Sequence, residues 1–160
     1  MRPDRDTYFL SIAAAVSPRA SCRSRAVGCV LTNSDHNILS TGYNGPASGM
    51  DYCTPCYRRG YKSGEGLELC VAIHAEQNAL LQCPNTASIY TAYVTNSPCL
   101  TCVKLLMNTK CERIVFLSEY PQTQPKELWE SVGREWIHLS IDDRIRKQIQ
   151  SITDIRRNYV

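Results

Sequence analysis

The sequence of 160 residues contains no apolar run near the roughly 20 residues that cross a bilayer, so no membrane span or membrane partner is expected. Its one N-terminal apolar segment, residues 8–16, carries Asp6 just ahead of it, which argues against a secretory leader and for a cytoplasmic protein. Charge of one sign is also nearly missing. Lysine and arginine total 18 against 15 aspartate and glutamate, a net +3, and the basic residues are scattered, so electrostatics makes no case for a nucleic-acid partner. Repeats and low-complexity tracts are absent. With 43% hydrophobic and 21% charged residues, the composition excludes disorder and fibrous architecture. The length suits one domain, read as residues 1–160 with a core over about 8–140 and a C-terminal helix over 141–160.

Cysteine is what the chain has in plenty: nine, an odd number, with no sign of secretion. That favours metal ligation over a disulfide framework.

Phe9, Ile12, Ala13 and Val16 fall at the spacing of one helix face, with Asp4 or Asp6 as N-cap and Pro18 as the stop. Residues 26–32 and 37–42 read as two strands joined by Asn-Ser-Asp-His turn chemistry. Residues 43–68 are rich in Gly, Pro, Ser, Cys and charge, and they outrun the roughly 12–15 residues of an ordinary structureless loop, so something besides apolar packing must order them. Helices then alternate with strands: helix 72–81, strand 89–95, helix 99–107, strand 113–118, helix 125–132 and strand 136–139. This alternation predicts parallel strands with right-handed crossovers. Ile141, Ile145, Ile149 and Ile152 sit at helical spacing on a charged background and predict an amphipathic helix lying on the domain or a neighbour.

His74-Ala75-Glu76 followed by Pro98-Cys99-Leu100-Thr101-Cys102 has the H-x-E…P-C-x-x-C form of the zinc deaminases. One imidazole and two thiolates supply three tetrahedral zinc ligands and leave the fourth position to water, the pattern of a catalytic site. Cys99 and Cys102 open a predicted helix, whose N-terminus favours thiolates, and Pro98 suits that start. Glu76 need not ligate; beside the zinc it can carry a proton from water to a ring nitrogen and assist departure of ammonia.

Here the chain resembles the zinc-dependent cytidine and deoxycytidylate deaminase superfamily, over about residues 8–139. Cys22 with Val27-Gly28-Cys29-Val30, Thr41-Gly42-Tyr43-Asn44-Gly45-Pro46, His74 through Leu80, and Tyr93 through Cys99 are similar to the blocks of the deoxycytidylate (dCMP) deaminases, in order. The resemblance implies a three-layer α/β/α fold with a five-stranded mixed sheet, in which the first two strands form an antiparallel hairpin, the others run parallel, and helices cover both faces. It implies hydrolytic deamination of dCMP to dUMP, supplying dUMP for thymidylate synthesis. Asn44 would hydrogen-bond the sugar hydroxyl, with Gly42 and Gly45 turning the backbone around it, and Tyr120 would line the nucleotide pocket. Ala75, inside the first zinc motif, and Ser97, ahead of the second, complete the substrate-binding candidates. For the 5′-phosphate the candidates are Ser24 with Arg23 or Arg25, and we favour Ser24 and Arg25.

A second cysteine cluster is expected. Cys53 and Cys56 form another CxxC in the long polar segment, with Cys22 ahead of the hairpin and Cys70 ahead of the catalytic helix; four thiolates would close a structural zinc site and order that segment. The resemblance marks positions 22 and 53 as ligands of a second zinc, spacing adds Cys56 and Cys70, and Cys83 is the substitute for Cys70. It also implies a homo-hexamer activated by dCTP and inhibited by dTTP with magnesium, with an effector site including Gly42, Tyr43, Asn44 and Gly45. Two competing readings remain: a deaminase of another cytosine nucleoside or of adenosine in RNA, and a non-catalytic, zinc-stabilised nucleic-acid-binding module.

Overall fold

A computed structural model of the chain describes residues 2–22 and 24–155. Helix α1 (Arg5–Val16) opens it, capped by Asp4, whose carboxylate accepts from Thr7 N at 2.8 Å. Asp6 instead ties α1 to the sheet, accepting from Tyr93 Oη at 2.8 Å and pairing with Arg113 through Nη2 at 2.8 Å. The buried face of α1 is Phe9, Leu10, Ala13 and Ala14; Ile12 and Val16 lie at its half-buried margin, so the stripe is rotated from the expected one.

Strands β1 (Gly28–Thr32) and β2 (Ile38–Tyr43) form the expected antiparallel hairpin, and its turn is held by Asn37 N donating to Asn33 Oδ1 at 2.8 Å. β5 (Thr91–Asn96), β6 (Arg113–Ser118) and β7 (Glu135–His138) are mutually parallel, and the sheet order is β2-β1-β5-β6-β7. β1 is antiparallel to both of its neighbours. Between these strands lie α2 (Ala75–Gln82), α3 (Leu100–Met107) and α4 (Gln124–Glu130), and α5 (Asp143–Asp154) follows β7. A short second sheet pairs β3 (Gly45–Pro46) with β4 (Ala72–Ile73).

The sheet has a core on each face. Leu31, Val94, Val103, Leu106, Ile114, Phe116 and Trp129 pack together on the side of α2, α3 and α4. Phe9, Leu10 and Ala13 of α1 meet Val30, Tyr93 and Val115 on the other. α5 lies against α1 and buries Ile149, while Ile141, Ile145 and Ile152 stay half-buried. The end of the predicted tail helix, residues 156–160, lies outside the described residues.

One predicted boundary moves with consequence. Residues 72–73 are extended and pair with β3, so the helix expected from residue 72 begins at Ala75. His74 becomes its N-cap, with extended backbone, and its N–H donates to Gln77 Oε1 at 2.8 Å. Among the described residues no helix is long and apolar enough to cross a membrane.

Candidate active site

Two helix starts build the site. α2 leaves β4 at His74 and α3 leaves β5 at Cys99, each with its N-cap residue in extended backbone, so both helix N-termini converge at one end of the sheet. His74 Nδ1 lies 3.4 Å from Cys99 Sγ and 3.4 Å from Cys102 Sγ. Ligand atoms of these three residues all fall within 4.8 Å of one another. A tetrahedral zinc with Zn–S of roughly 2.3 Å and Zn–N of roughly 2.0 Å would set N and S roughly 3.5 Å apart, so the donor set and its spacing fit zinc.

Electrostatics at this point are unusual. Cys102 donates to Cys99 and thereby lowers the Cys99 thiol to about 4, against the opposing effect of burial; the same hydrogen bond, with burial, raises Cys102. The hydrogen bond to Cys99 raises His74 despite its burial. Glu76 is 4% exposed, and burial pushes its carboxyl up from the ordinary value.

Above these groups opens a cavity of about 240 Å³. His74, Ala75, Glu76 and Cys99 line it at the zinc end, and Asn44, Ser97 and Tyr120 line it with them.

A sequence model of the cytidine and deoxycytidylate deaminase zinc-binding region matches residues 3–118. The chain belongs to this deaminase family. It is 42% identical over 126 residues to the deoxycytidylate deaminase of Mycobacterium phage D29, spanning 74% of this chain and 98% of that one. With the deoxycytidylate deaminase of Saccharomyces cerevisiae it shares 33% identity over 124 residues, spanning 75% of this chain but only 39% of the yeast protein. The dCMP deaminase of cyanophage S-TIM5, solved with dCMP and dUMP, has the same fold: TM-score 0.70 at 24% identity, over 87% of this chain and 99% of that one.

Within the deaminase site, Asn44 is held more firmly than expected. Its Nδ2 donates to Arg25 O at 2.8 Å and its Oδ1 accepts from Val27 N at 2.8 Å, so the buried amide clamps the backbone ahead of β1 at the cavity wall. One amide N–H is left to reach a ligand. Gly42 and Gly45 do something other than turn the chain, since neither has positive φ. A Cβ on Gly42 would overlap Ala75 O and Ala79 N, and one on Gly45 would overlap Ser21 Oγ. Close approach of β2 to α2, not backbone bending, requires glycine at 42. Tyr43 O accepts from Asn78 Nδ2 at 2.7 Å, locking the same segment to α2.

Ser97 Oγ accepts from Tyr120 N at 2.6 Å and so fixes the Tyr120 loop. Ser24 and Arg25 both line the cavity; Arg23 lies outside the described residues. The Arg25 guanidinium stands 5.0 Å over the Tyr120 ring, and its Nη2 donates to Ser63 Oγ at 3.3 Å. Arg58, Tyr61, Lys62, Ser63 and Asn96 also line the cavity and had no signal in the sequence. Four of them come from the irregular segment between β3 and β4, where no periodicity indicates direction.

The second cysteine set gathers elsewhere. Cys22, Cys53, Cys56 and Cys70 line a second cavity of about 20 Å³, with Cys22 and Cys70 also on the wall of the larger one, while Cys83 packs beside the hydrophobic core. Of the two candidates for the fourth position, Cys70 is the one that lies with Cys22, Cys53 and Cys56. Among the described residues, His74, Cys99 and Cys102 are the group whose ligand atoms converge within 4.8 Å. Burial, followed by the neighbouring Cys56, Cys22 and Cys70 thiols, raises Cys53. Cys29 and Cys111 are fully buried beside the sheet, as small hydrophobes.

Proposed function

We propose that the protein is a zinc-dependent dCMP deaminase, converting dCMP and water to dUMP and ammonia. The observation that carries the proposal is a buried Glu76 beside the His74, Cys99 and Cys102 donors at one end of a cavity large enough for a pyrimidine. The names of the phage and yeast relatives support the substrate. Zinc held by these three residues would supply Lewis acidity that makes water nucleophilic near neutral pH.

The chain's own residues do the rest. Glu76 takes a proton from the attacking water and passes it to the ring nitrogen beside C4. Glu76 then takes the remaining proton from the oxygen added at C4 and gives it to the amine; as the C4–N bond breaks, ammonia leaves and that oxygen becomes the carbonyl of dUMP. Burial keeps the carboxyl pKa raised, which suits a group that must both hold and release that proton. Ala75 and Ser97 line the base end, Asn44 offers its remaining N–H to the sugar, and Tyr120 forms a wall. Ser24 and Arg25 meet the phosphate.

Cys22, Cys53, Cys56 and Cys70 hold a second, structural zinc. Four thiols round one small cavity suit a closed site, and such a site supplies the order that the 47–70 segment lacks in apolar content. The family's homo-hexamer, and its regulation by dCTP and by dTTP with magnesium through residues 42–45, belong to the same reading. Gly42 and Gly45 are buried, so Tyr43 is the side chain of that group left to meet an effector.

The test is turnover of dCMP, deoxycytidine and CMP, followed by ultraviolet loss with and without dCTP at low substrate, together with zinc per chain. dCMP turned over far faster than the others, with two zinc per chain, is the expected result. Equal rates on deoxycytidine would overturn the substrate. Equal rates with and without dCTP would remove the regulation, and one zinc per chain the second site.

A further inference from the structure

Asn44 is fixed through both of its chain neighbours. The residue after it, Gly45, pairs with Ile73 in the short second sheet, and Ile73 immediately precedes the zinc donor His74. The residue before it, Tyr43, has its carbonyl held by Asn78 Nδ2 at 2.7 Å. Asn78 stands one turn into α2, and its backbone N–H donates to His74 O at 2.9 Å, the bond by which the N-cap carbonyl enters the helix. One residue thus grips the carbonyl of a zinc donor with its main chain and the carbonyl next to Asn44 with its side chain.

Asn78 does this from outside the cavity. It is half-buried and forms no part of the cavity wall, whereas Asn44, His74, Ala75 and Glu76 all do. Other contacts already hold β2 on α2: Ser40 Oγ donates to Ala79 O at 2.7 Å, and Gly42 presses against Ala75 O and Ala79 N. These keep the strand in place when Asn78 is changed. What Asn78 adds is a directional bond at the end of β2, beside Asn44, where contact through a glycine limits approach but not sliding along the helix.

We infer that Asn78 is a positioning residue: it sets the span between the Asn44 amide and the His74–Glu76 start of α2, and so places C4 of the pyrimidine against the groups that act on it. The inference rests on the reading above in which Asn44 holds the sugar hydroxyl. A deoxyribose 5′-phosphate has one free hydroxyl, at C3′, so that is the group held. A nucleotide gripped at the sugar and attacked at the base is aligned only while those two points keep their separation, and a misplacement of about 1 Å can cost about a hundredfold in rate. Without the Asn78 donor, Tyr43 O loses its partner and the 43–44 segment shifts against α2. The sugar is then held in a register that no longer matches the zinc end. A nucleotide lacking the 3′-hydroxyl has no such grip to misplace.

The experiment measures kcat and KM for dCMP and for 2′,3′-dideoxycytidine 5′-monophosphate, using the full chain, Asn78→Ala and Asn78→Asp, the last keeping the side chain's shape without its donor. In the parent the dideoxy analogue should be poorer by about tenfold or more. In both variants dCMP should lose about tenfold or more, chiefly in kcat, while the analogue loses less than about threefold. The ratio of the two kcat/KM values should therefore fall at least about threefold, the non-additivity of a coupled pair. Because the ratio compares two substrates on one sample, it is independent of the active fraction, and zinc per chain and Tm report the fold. Equal losses on both substrates mark a merely structural role and overturn the inference, as does dCMP turnover within about twofold of the parent in both variants. A parent that turns over both substrates equally well overturns the Asn44 reading itself.

Discussion

Cys99 and Cys102 occupy the N-cap and third residue of α3, whereas Cys53 and Cys56 lie in the irregular segment between β3 and β4. The spacing is the same and the chemistry diverges. The helix start points both sulfurs at His74, the Cys102 hydrogen bond lowers Cys99 to about 4, and the pair opens on a cavity of about 240 Å³. The other pair shares its small cavity with two further thiols, Cys22 and Cys70, and no histidine: burial and these neighbours raise Cys53, and the cavity is about 20 Å³. A mixed donor set beside an open space suits reaction, and an all-thiol set around a closed one suits holding a loop.

The largest effect that would break this comparison comes from Cys102→Ser. Loss of an orienting neighbour of a metal ligand typically costs 10–100-fold, so loss of a ligand itself should lower activity by more than about a hundredfold. Zinc should fall from two per chain to one, read by metal analysis, while Tm changes little. Cys53→Ser with Cys56→Ser should also remove one zinc, but with the opposite split: Tm falls, KM for dCMP rises by about tenfold as the cationic segment loosens, and kcat stays within a few fold. Identical behaviour of the two variants would show that the pairs are not functionally distinct.

A third, metal-free tie sharpens the contrast. Burial raises the Asp6 carboxyl, but hydrogen bonds from Arg113 and Tyr93 outweigh it and hold the group below its ordinary 3.8. The stability it contributes is present above that unfolded value and is lost as pH falls through the lower folded one. Asp6→Asn should therefore cost about 2 kcal/mol at neutral pH and flatten the acid limb of a Tm–pH profile below about pH 4, with zinc content unchanged.

The smallest effect on stability lies at Glu76. Its folded pKa is raised, so the unfolded chain gives up this proton first and stability falls as pH rises above the unfolded value of 4.5. In metal-stripped protein at neutral pH, Glu76→Gln should raise Tm by a few degrees, about 2–4 °C per kcal/mol.

Much of this was legible before the fold was known, for identifiable reasons. The zinc donors and Glu76 lie in two short motifs whose spacing survives in one dimension, and the strand-helix alternation accounts for the parallel half of the sheet, β5, β6 and β7. The start of α2 was not legible, because Ala72 and Ile73 are acceptable helix residues and are drawn into β4 by pairing with Gly45 and Pro46. Gly42 looked like a turn residue; only the packed helix reveals that Ala75 O occupies the space of a side chain. Arg58 and Lys62 were hidden because an irregular segment carries no period from which the facing direction can be read. α1 shows the same limit more mildly: helical spacing found a face, and contact with the sheet rotated it to Leu10 and Ala14.

The account's core is that Glu76 moves the protons while His74, Cys99 and Cys102 hold the metal, and Glu76→Gln tests it most directly. With dCMP saturating and zinc per chain measured on the same sample, the account predicts a kcat lower by about 10²–10⁴ at unchanged zinc content. A variant that keeps its zinc and turns over dCMP within a few fold of the parent would contradict it.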